Sequence, residues 1–258
     1  MEIGVCVKRV PMVGGKIVLT PDEQEVDTRL SGFTISPHEE CAVEEAVQIT
    51  ERLGGTVSVI TLGPAVAADQ LREALALGAK RAVLLETDGR EWGPIATTEA
   101  IVAAVRGGAG DADARTPYDL LLFGNEAADT GDYQVAVRVA HSLDLPCATG
   151  IKNLEVTDGR ARARREYRGA EEVFDLALPA VISVKEGINL PRYPSLPGRL
   201  RAKRATIEQS APEWHAEGLR KERLRVPAGE TKRAEILGTG PDAVPALVAL
   251  LDELGVLT

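Results

Sequence analysis

Tyr118-Asp119-Leu120-Leu121-Leu122-Phe123-Gly124-Asn125-Glu126-Ala127-Ala128-Asp129-Thr130-Gly131-Asp132-Tyr133-Gln134-Val135-Ala136-Val137-Arg138-Val139-Ala140-His141-Ser142-Leu143 changes character twice. Its beginning is a short apolar run, which reads as a buried strand. Its end places apolar residues at 135, 136, 139, 140 and 143, the spacing of one helix face. Between them lies a small polar loop. In open α/β sheets ligands bind at such a junction, outside the carboxyl ends of the strands. A helix start offers unpaired N–H groups and a positive dipole end to an anion. Gly124 to Gln134 contains no Lys or Arg, so a phosphate held there relies on the backbone. A plain strand–helix turn with Asp132 as N-cap stands beside that reading.

The same alternation extends on both sides. Glu2 to Lys8 reads as a first core strand, ended by Pro11, and Gly14-Gly15 sets a turn before a short strand from Lys16 to Leu19. Ser36-Pro37-His38-Glu39 is a helix start: Ser36 caps, Pro37 suits the first position and Glu39 completes a capping box. That helix runs to about Leu53, before Gly54-Gly55. Thr56 to Leu62 is a β-branched strand, and Gly63-Pro64 leads into a helix carrying Ala67, Leu71, Ala74 and Leu75 on one face. Arg81 to Leu85 is a further strand, Pro94 to Arg106 a helix, and Gly107 to Thr116 a loose loop. Alternating strands and helices imply an α/β, Rossmann-like fold, a mainly parallel sheet with helices on both faces.

After Pro146 the pattern changes. Gly150–Val156, Arg160–Tyr167, Glu172–Leu176 and Ala180–Val184 read as strands, with Asp158-Gly159 a hairpin turn, so an antiparallel hairpin region is added. Arg160, Arg162 and Arg164 alternate with alanines, as on a solvated strand face. Gly187 to Gly198 holds three prolines, which exclude regular structure, and leads into a basic stretch, Arg199 to Arg204. It carries Ile188, Leu190, Tyr193 and Leu196, which either return to the core or are presented to a partner. Beyond Ala205 the chain is polar, with part of Glu213–Arg225 helical and a last helix from Asp242 to Leu254. We expect an α/β domain over residues 1–204 and a C-terminal arm over 205–258, its helix packing on another chain.

Composition narrows the function. The 258 residues are 44% hydrophobic, 3% aromatic and carry a formal charge of −9, which argues against a nucleic-acid binder. Cys6, Cys41 and Cys147 are scattered and read as small core residues; His38, His141 and His215 are scattered too, so no metal site is expected. Lys8 and Arg9 interrupt the first apolar run, which does not read as a signal peptide, and no run approaches a spanning helix, so a cytoplasmic protein without membrane insertion is expected. Glu39, Glu40, Glu44 and Glu45 read as a solvated helix surface. No nucleophile–base pair stands out, and no catalytic residue is assigned.

Several motifs, taken in order, resemble the β subunit of electron transfer flavoproteins. They are Val5-Cys6-Val7-Lys8-Arg9-Val10-Pro11; Ser36-Pro37-His38-Glu39-Glu40-Cys41-Ala42-Val43-Glu44-Glu45-Ala46; Gly63-Pro64 with Arg72 to Ala79; Gly124 to Gln134; and Leu190-Pro191-Arg192-Tyr193-Pro194-Ser195-Leu196-Pro197 before Lys/Arg. The resemblance implies a heterodimer with an α subunit that holds most of the FAD, and a structural AMP inside β. It places the nucleotide on Cys6, Ser36, Pro37, Leu62, Gly63, Gly124, Asn125, Ala128, Asp129, Thr130, Gly131, Asp132, Tyr133, Gln134 and Val135. It makes Val13 and His38 the flavin-facing positions, and Ile188, Asn189, Leu190, Arg192 and Tyr193 a recognition loop for acyl-CoA dehydrogenase-type flavoenzymes, with Ile188 as anchor. A quinone-reducing oxidoreductase is the implied acceptor. Ser36 replaces the usual Asn, and Thr130 to Tyr133 match neither common form of the loop. Gln134-Val135 is shared with relatives that bifurcate electrons and hold a second FAD in place of AMP; Tyr133, bulkier than their small residue, favours AMP. A stand-alone adenine-nucleotide-binding regulatory protein is the other alternative, but it needs neither the Pro-Arg-Tyr loop nor the tethered helix.

Overall fold

The apolar runs become strands of one sheet. The structure, a computed structural model, describes residues 1–12, 17–29, 31–107, 116–218, 221–227 and 236–256. In chain order come β1 (Glu2–Cys6), the antiparallel pair β2 (Arg9–Pro11) and β3 (Phe33–Ile35), and α1 (Pro37–Leu53). Then follow β4 (Thr56–Gly63), α2 (Ala68–Leu77), β5 (Arg81–Glu86), α3 (Pro94–Val105), β6 (Leu120–Gly124) and α4 (Val135–Ser142). The rest comprises β7 (Cys147–Ile151), β8 (Asn153–Thr157), β9 (Arg160–Tyr167), β10 (Ala170–Ala177), β11 (Ala180–Val184), α5 (Leu196–Arg204), β12 (Glu208–Ser210) and α6 (Val244–Glu253).

Seven strands form a wholly parallel sheet in the order β12-β5-β4-β1-β6-β11-β7. Val5 sits between Val59 and Leu122, and Cys6 between Ile60 and Phe123. From β1 the chain builds outward through β4 and β5 on one side, then through β6 and β11 on the other. The β1–β6 boundary is therefore the switch point at which a crevice opens.

Both faces of the sheet are covered, as parallel sheets require. Ile3, Val5, Val59, Leu120, Leu122 and Ile182 point to one core with α1 and α2. Cys6, Ile60, Leu121, Phe123 and Val181 point to the other, with α3 and α4. The alternation within Leu120-Leu121-Leu122-Phe123 feeds both. β8, β9 and β10 make a separate antiparallel sheet that lends Leu154, Val156, Ala161 and Ala163 to the first core. Asp158 and Gly159 both take positive φ, +49° and +73°, as a tight hairpin turn demands. Arg160 and Arg162 of β9 face outward, with Arg160 on Asp175 at 2.8 Å, whereas Arg165 is half-buried and donates to the Thr149 carbonyl at 2.9 Å.

Four details differ from the sequence reading. The strand expected over Gly150–Val156 is two strands: the chain bends at Lys152, just after Gly150 at φ +72° where the β7–β11 register shifts, so β7 joins the parallel sheet and β8 the antiparallel one. The basic run is helical. Pro197 lies in the first turn of α5, where its missing N–H costs nothing, and Ser195 Oγ accepts from the Gly198 N–H at 3.1 Å. Arg72 closes the other end by donating to the Ala202 carbonyl at 2.9 Å. Among the described residues Glu213–Arg225 is irregular, not helical. Without an apolar stripe to bury, this segment spends its polar groups on neighbouring loops: Trp214 Nε1–H donates to the Glu91 carbonyl and Glu217 accepts from the Ala96 N–H. Lys16 lies outside the described residues, while Leu19 makes an isolated bridge to Val26.

Met1–Leu224 and Arg225–Thr258 are two separate units. In the second, a 3₁₀ turn at Gly240–Ala243 leads into α6, which exposes Val244, Leu247, Val248 and Leu250. Among the described residues no helix is long and apolar enough to cross a membrane, and no three His, Cys, Asp or Glu side chains cluster to hold a metal. All three cysteines are free; Cys6 and Cys41 are buried.

Leu122 packs at the sheet centre with 0% exposure. Leu122→Ala is expected to cost about 3–5 kcal/mol in urea unfolding, against under about 0.5 kcal/mol for a substitution at exposed Glu155.

Candidate functional site

The carboxyl ends of β1, β4, β5 and β6 open into one cavity of about 780 Å³. Cys6 to Arg9 line it after β1, Leu62 to Pro64 after β4, Thr87 and Arg90 to Pro94 after β5, and Phe123 to Ala127 after β6. Thr130 to Ala136 bring in the start of α4, and Glu39 the first turn of α1. Close approach at the switch point requires glycine. A Cβ at Gly124 would lie 2.6 Å from Glu39 Cγ, so any side chain there pushes α1 off the loop.

The loop after β6 holds itself closed. Gly131 N–H donates to the Ala127 carbonyl at 2.8 Å and Ala127 N–H to the Asp132 carbonyl at 3.0 Å. Gly131 takes φ +64°, which favours glycine. Asp132 Oδ1 accepts from the Gln134 N–H at 2.8 Å, one residue before the helix begins. Asp132 thus braces the turn, while Gln134 holds the N-cap position. These bonds use the amides of Ala127, Gly131 and Gln134, and Thr130 N–H binds the Asp129 carboxylate. The amides of Asp132, Tyr133 and Val135 take part in none of them.

Positive charge comes from elsewhere in the chain. Lys8, Arg9 and Arg90 line the cavity, with Lys8 Nζ 2.8 Å from Asp129 Oδ1. A phosphate in this cavity has cations as well as amides within its walls.

Glu39 is the unexpected group. It does not face solvent, being 7% exposed, and the capping box is only half made: Ser36 is the N-cap without a side-chain cap bond, while its amide acts on the Glu39 carboxyl. Its Oε2 accepts from the Lys8 N–H at 2.8 Å. Burial pushes its carboxyl up to about 8, against the pull of that N–H. Burial, and then Glu39, push the Cys6 thiol up too. Glu44 and Glu45 are also buried, so the acidic cluster is mostly not a solvated surface.

Their role is to hold the segment after β11. Arg192 grips Glu44 at 2.9 Å and Glu51 at 2.7 Å, and Asn189 Nδ2 donates to the Cys41 carbonyl and to Glu45 Oε2. His38 Nδ1 accepts from the Glu186 N–H at 2.9 Å, and its Nε2 lies 3.4 Å from Glu126. Ile188 is half-buried against the core, whereas Leu190 and Tyr193 are 90% and 96% exposed.

A family model, the electron transfer flavoprotein domain, matches residues 26–213. The chain is 36% identical over 211 residues to the electron transfer flavoprotein subunit beta of Bacillus subtilis, covering 81% of this chain and 78% of that one. It is 35% identical over 212 residues to the same subunit of Syntrophomonas wolfei (82% and 80%), and 32% over 211 residues to that of Mycobacterium tuberculosis (80% and 77%). The chain belongs to the electron transfer flavoprotein β-subunit family.

Most positions that membership led us to expect around a nucleotide lie together in the cavity wall. Cys6, Leu62, Gly63, Gly124, Asn125, Thr130, Gly131, Asp132, Tyr133, Gln134 and Val135 line it, while Ser36, Pro37, Ala128 and Asp129 do not. Asp129 instead pairs with Lys8, and Ser36 is buried behind Glu39 at the helix start. His38 points to the segment after β11, and Val13 lies outside the described residues. Sequence reasoning missed Lys8, Arg9, Glu39 and the whole loop after β5. Trp92-Gly93-Pro94, a strand exit before a Pro-led helix, carried the same signal as the loop after β6 and was legible by the same rule.

Glu39 gives stability a definite pH dependence. Its folded pKa of about 8 lies above its unfolded value near about 4.3, so the folded protein keeps a proton that the unfolded chain releases. That contribution is full below about pH 4.3 and is lost as pH rises toward about 8. Glu39→Gln should therefore match the parent protein near about pH 4.5 and exceed it by roughly 2–4 kcal/mol near about pH 8 in urea unfolding. A less stable variant at the higher pH would contradict the neutral carboxyl.

Proposed function

We propose that this chain is the β half of a heterodimeric electron carrier, with AMP bound structurally in the cavity described above and FAD held mostly by an α subunit. The observation that carries this reading is the cavity at the β1–β6 switch point. It gathers residues of four strand exits and a helix start around a space of about 780 Å³, within the range of small-molecule sites (about 300–1,000 Å³). The residues suit a nucleotide: Lys8, Arg9 and Arg90 with the loop amides for phosphate, and the apolar Ile60, Leu62 and Ile101 for a flat base. The flavin, when bound at the α–β contact, supplies the electron-carrying ring. The chain's own residues bind and orient, and none is assigned to acid–base chemistry. Val13 and His38 are the proposed flavin-facing positions.

The exposed Leu190 and Tyr193, held out by Arg192 and Asn189, support a recognition segment for acyl-CoA dehydrogenase-type flavoenzymes, with Ile188 beside them as an apolar contact. A quinone-reducing oxidoreductase is the proposed acceptor, and the cytoplasm the proposed location. Residues 205–258 are proposed as an arm whose apolar α6 face packs on the α subunit; its exposed Val244, Leu247 and Val248 support this.

One observation favours a second reading, a bifurcating β subunit with a second FAD. Tyr133 is 58% exposed, so it does not fill the cavity as a bulky residue facing inward would. The experiment is to co-purify the chain with its α subunit, denature the complex and quantify released FAD and AMP. One FAD and one AMP per heterodimer is the expected result; two FAD and no AMP would replace this reading with the second.

A further inference from the structure

Of the carboxyls lining the cavity, Glu39 is the buried one; Glu91 is exposed, and Glu126 and Asp132 are half-buried. Among the described residues no Lys or Arg forms an ion pair with it. Burial disfavours its charge, and from the end of β1 Lys8 favours it through its backbone N–H and, more weakly, its ammonium, which is spent on Asp129. The exit of β6 brings the Gly124 backbone against it. On its own helix, the Ser36 amide and hydroxyl favour the charged form, and His38 is turned to Glu186 and Glu126. The Lys8 N–H fixes Oε2 as an acceptor. A carboxyl held this way carries its proton on the other oxygen.

Resting on the nucleotide reading above, we infer that Glu39 selects the base of the bound nucleotide: as an uncharged acid it donates its Oε1–H to N1 of adenine. Adenine presents an unprotonated nitrogen at N1. Hypoxanthine and guanine carry N1–H at the same place, so there donor would face donor. No proton is transferred; the acid stays an acid and the base stays neutral. Ionisation of Glu39 removes the donor and reverses the preference. A site built around a buried hydrogen bond rejects an analogue that cannot complete it more strongly than an apolar pocket rejects a change of size.

The test is calorimetric titration of the nucleotide-free αβ complex with AMP, with IMP and with 1-deaza-AMP, which lacks only the N1 acceptor. AMP should bind at least about tenfold more tightly than either analogue near about pH 7. The AMP affinity of the parent complex should fall as pH rises from about 7 to about 9.5, and Glu39→Gln, which keeps an N–H donor in place, should flatten that profile. Binding of 1-deaza-AMP within about twofold of AMP, or a flat profile in the parent complex, overturns the inference while leaving the nucleotide reading intact. A complex that releases no adenine nucleotide and binds none overturns both.

Discussion

Val5 and Cys6 pair with Leu122 and Phe123 in the middle of a parallel sheet, and both strands end at the same edge. The rest of the molecule depends on this pairing. Because the strands are parallel, their exits lie side by side; because the chain turns outward in opposite directions from β1, no helix covers the space between them. The cavity is what remains at that boundary. Gly124 lets α1 approach it, and the loop Asn125 to Gln134 closes its floor with its own hydrogen bonds. Burial of both faces of β1 and β6 fixes the register, since a shift by one residue would exchange Val5 with Cys6 between two cores.

α1 links two features that are far apart in sequence. Its first turn brings Glu39 into the cavity wall, and the turns that follow hold the segment after β11 through Cys41, Glu44, Glu45 and Glu51. The buried pair of Glu44 and Arg192 is informative about that segment. Glu44 has 3% of its side chain exposed, and Arg192 holds its carboxyl below the usual carboxylate range even though burial alone would raise it. Paired charges therefore fix the base of the segment, and Leu190 and Tyr193 stand in solvent on a braced support. Glu39 has no such partner and is pushed the other way. Two carboxyls five residues apart on one helix are thus pushed in opposite directions, because one meets a guanidinium and the other only backbone N–H groups and burial.

Much of this was legible in the sequence. Strand–helix alternation, the Asp158-Gly159 hairpin and the junction after Phe123 follow from periodicity and turn chemistry, and the structure bears them out. What escaped were tertiary facts. Glu39, Glu44 and Glu45 have the spacing and composition of a solvated helix face; only the arrival of Lys8, Asn189 and Arg192, from 31 to 148 residues away, makes them buried partners. The loop after β5 carries a strand exit before a Pro-led helix, but its sharing one cavity with the loop after β6 depends on β5 lying beside β4 in the sheet. The basic run after Ser195 is helical because α2 gives it a surface and Arg72 closes its end. Local pattern located most of the cavity wall; the groups that give it charge came through long-range packing.

The central claim is that the turn from Thr130 to Ala136 is the floor of a nucleotide site and not merely a strand–helix connection. Amide hydrogen exchange on the αβ complex, with nucleotide bound and after its removal, tests this directly. The account predicts that the amides of Asp132, Tyr133 and Val135, which make no bond within the loop, exchange slowly with nucleotide bound and quickly without it. Leu120 to Phe123 should stay protected in both states. Equal exchange at those three amides in the two states would contradict it.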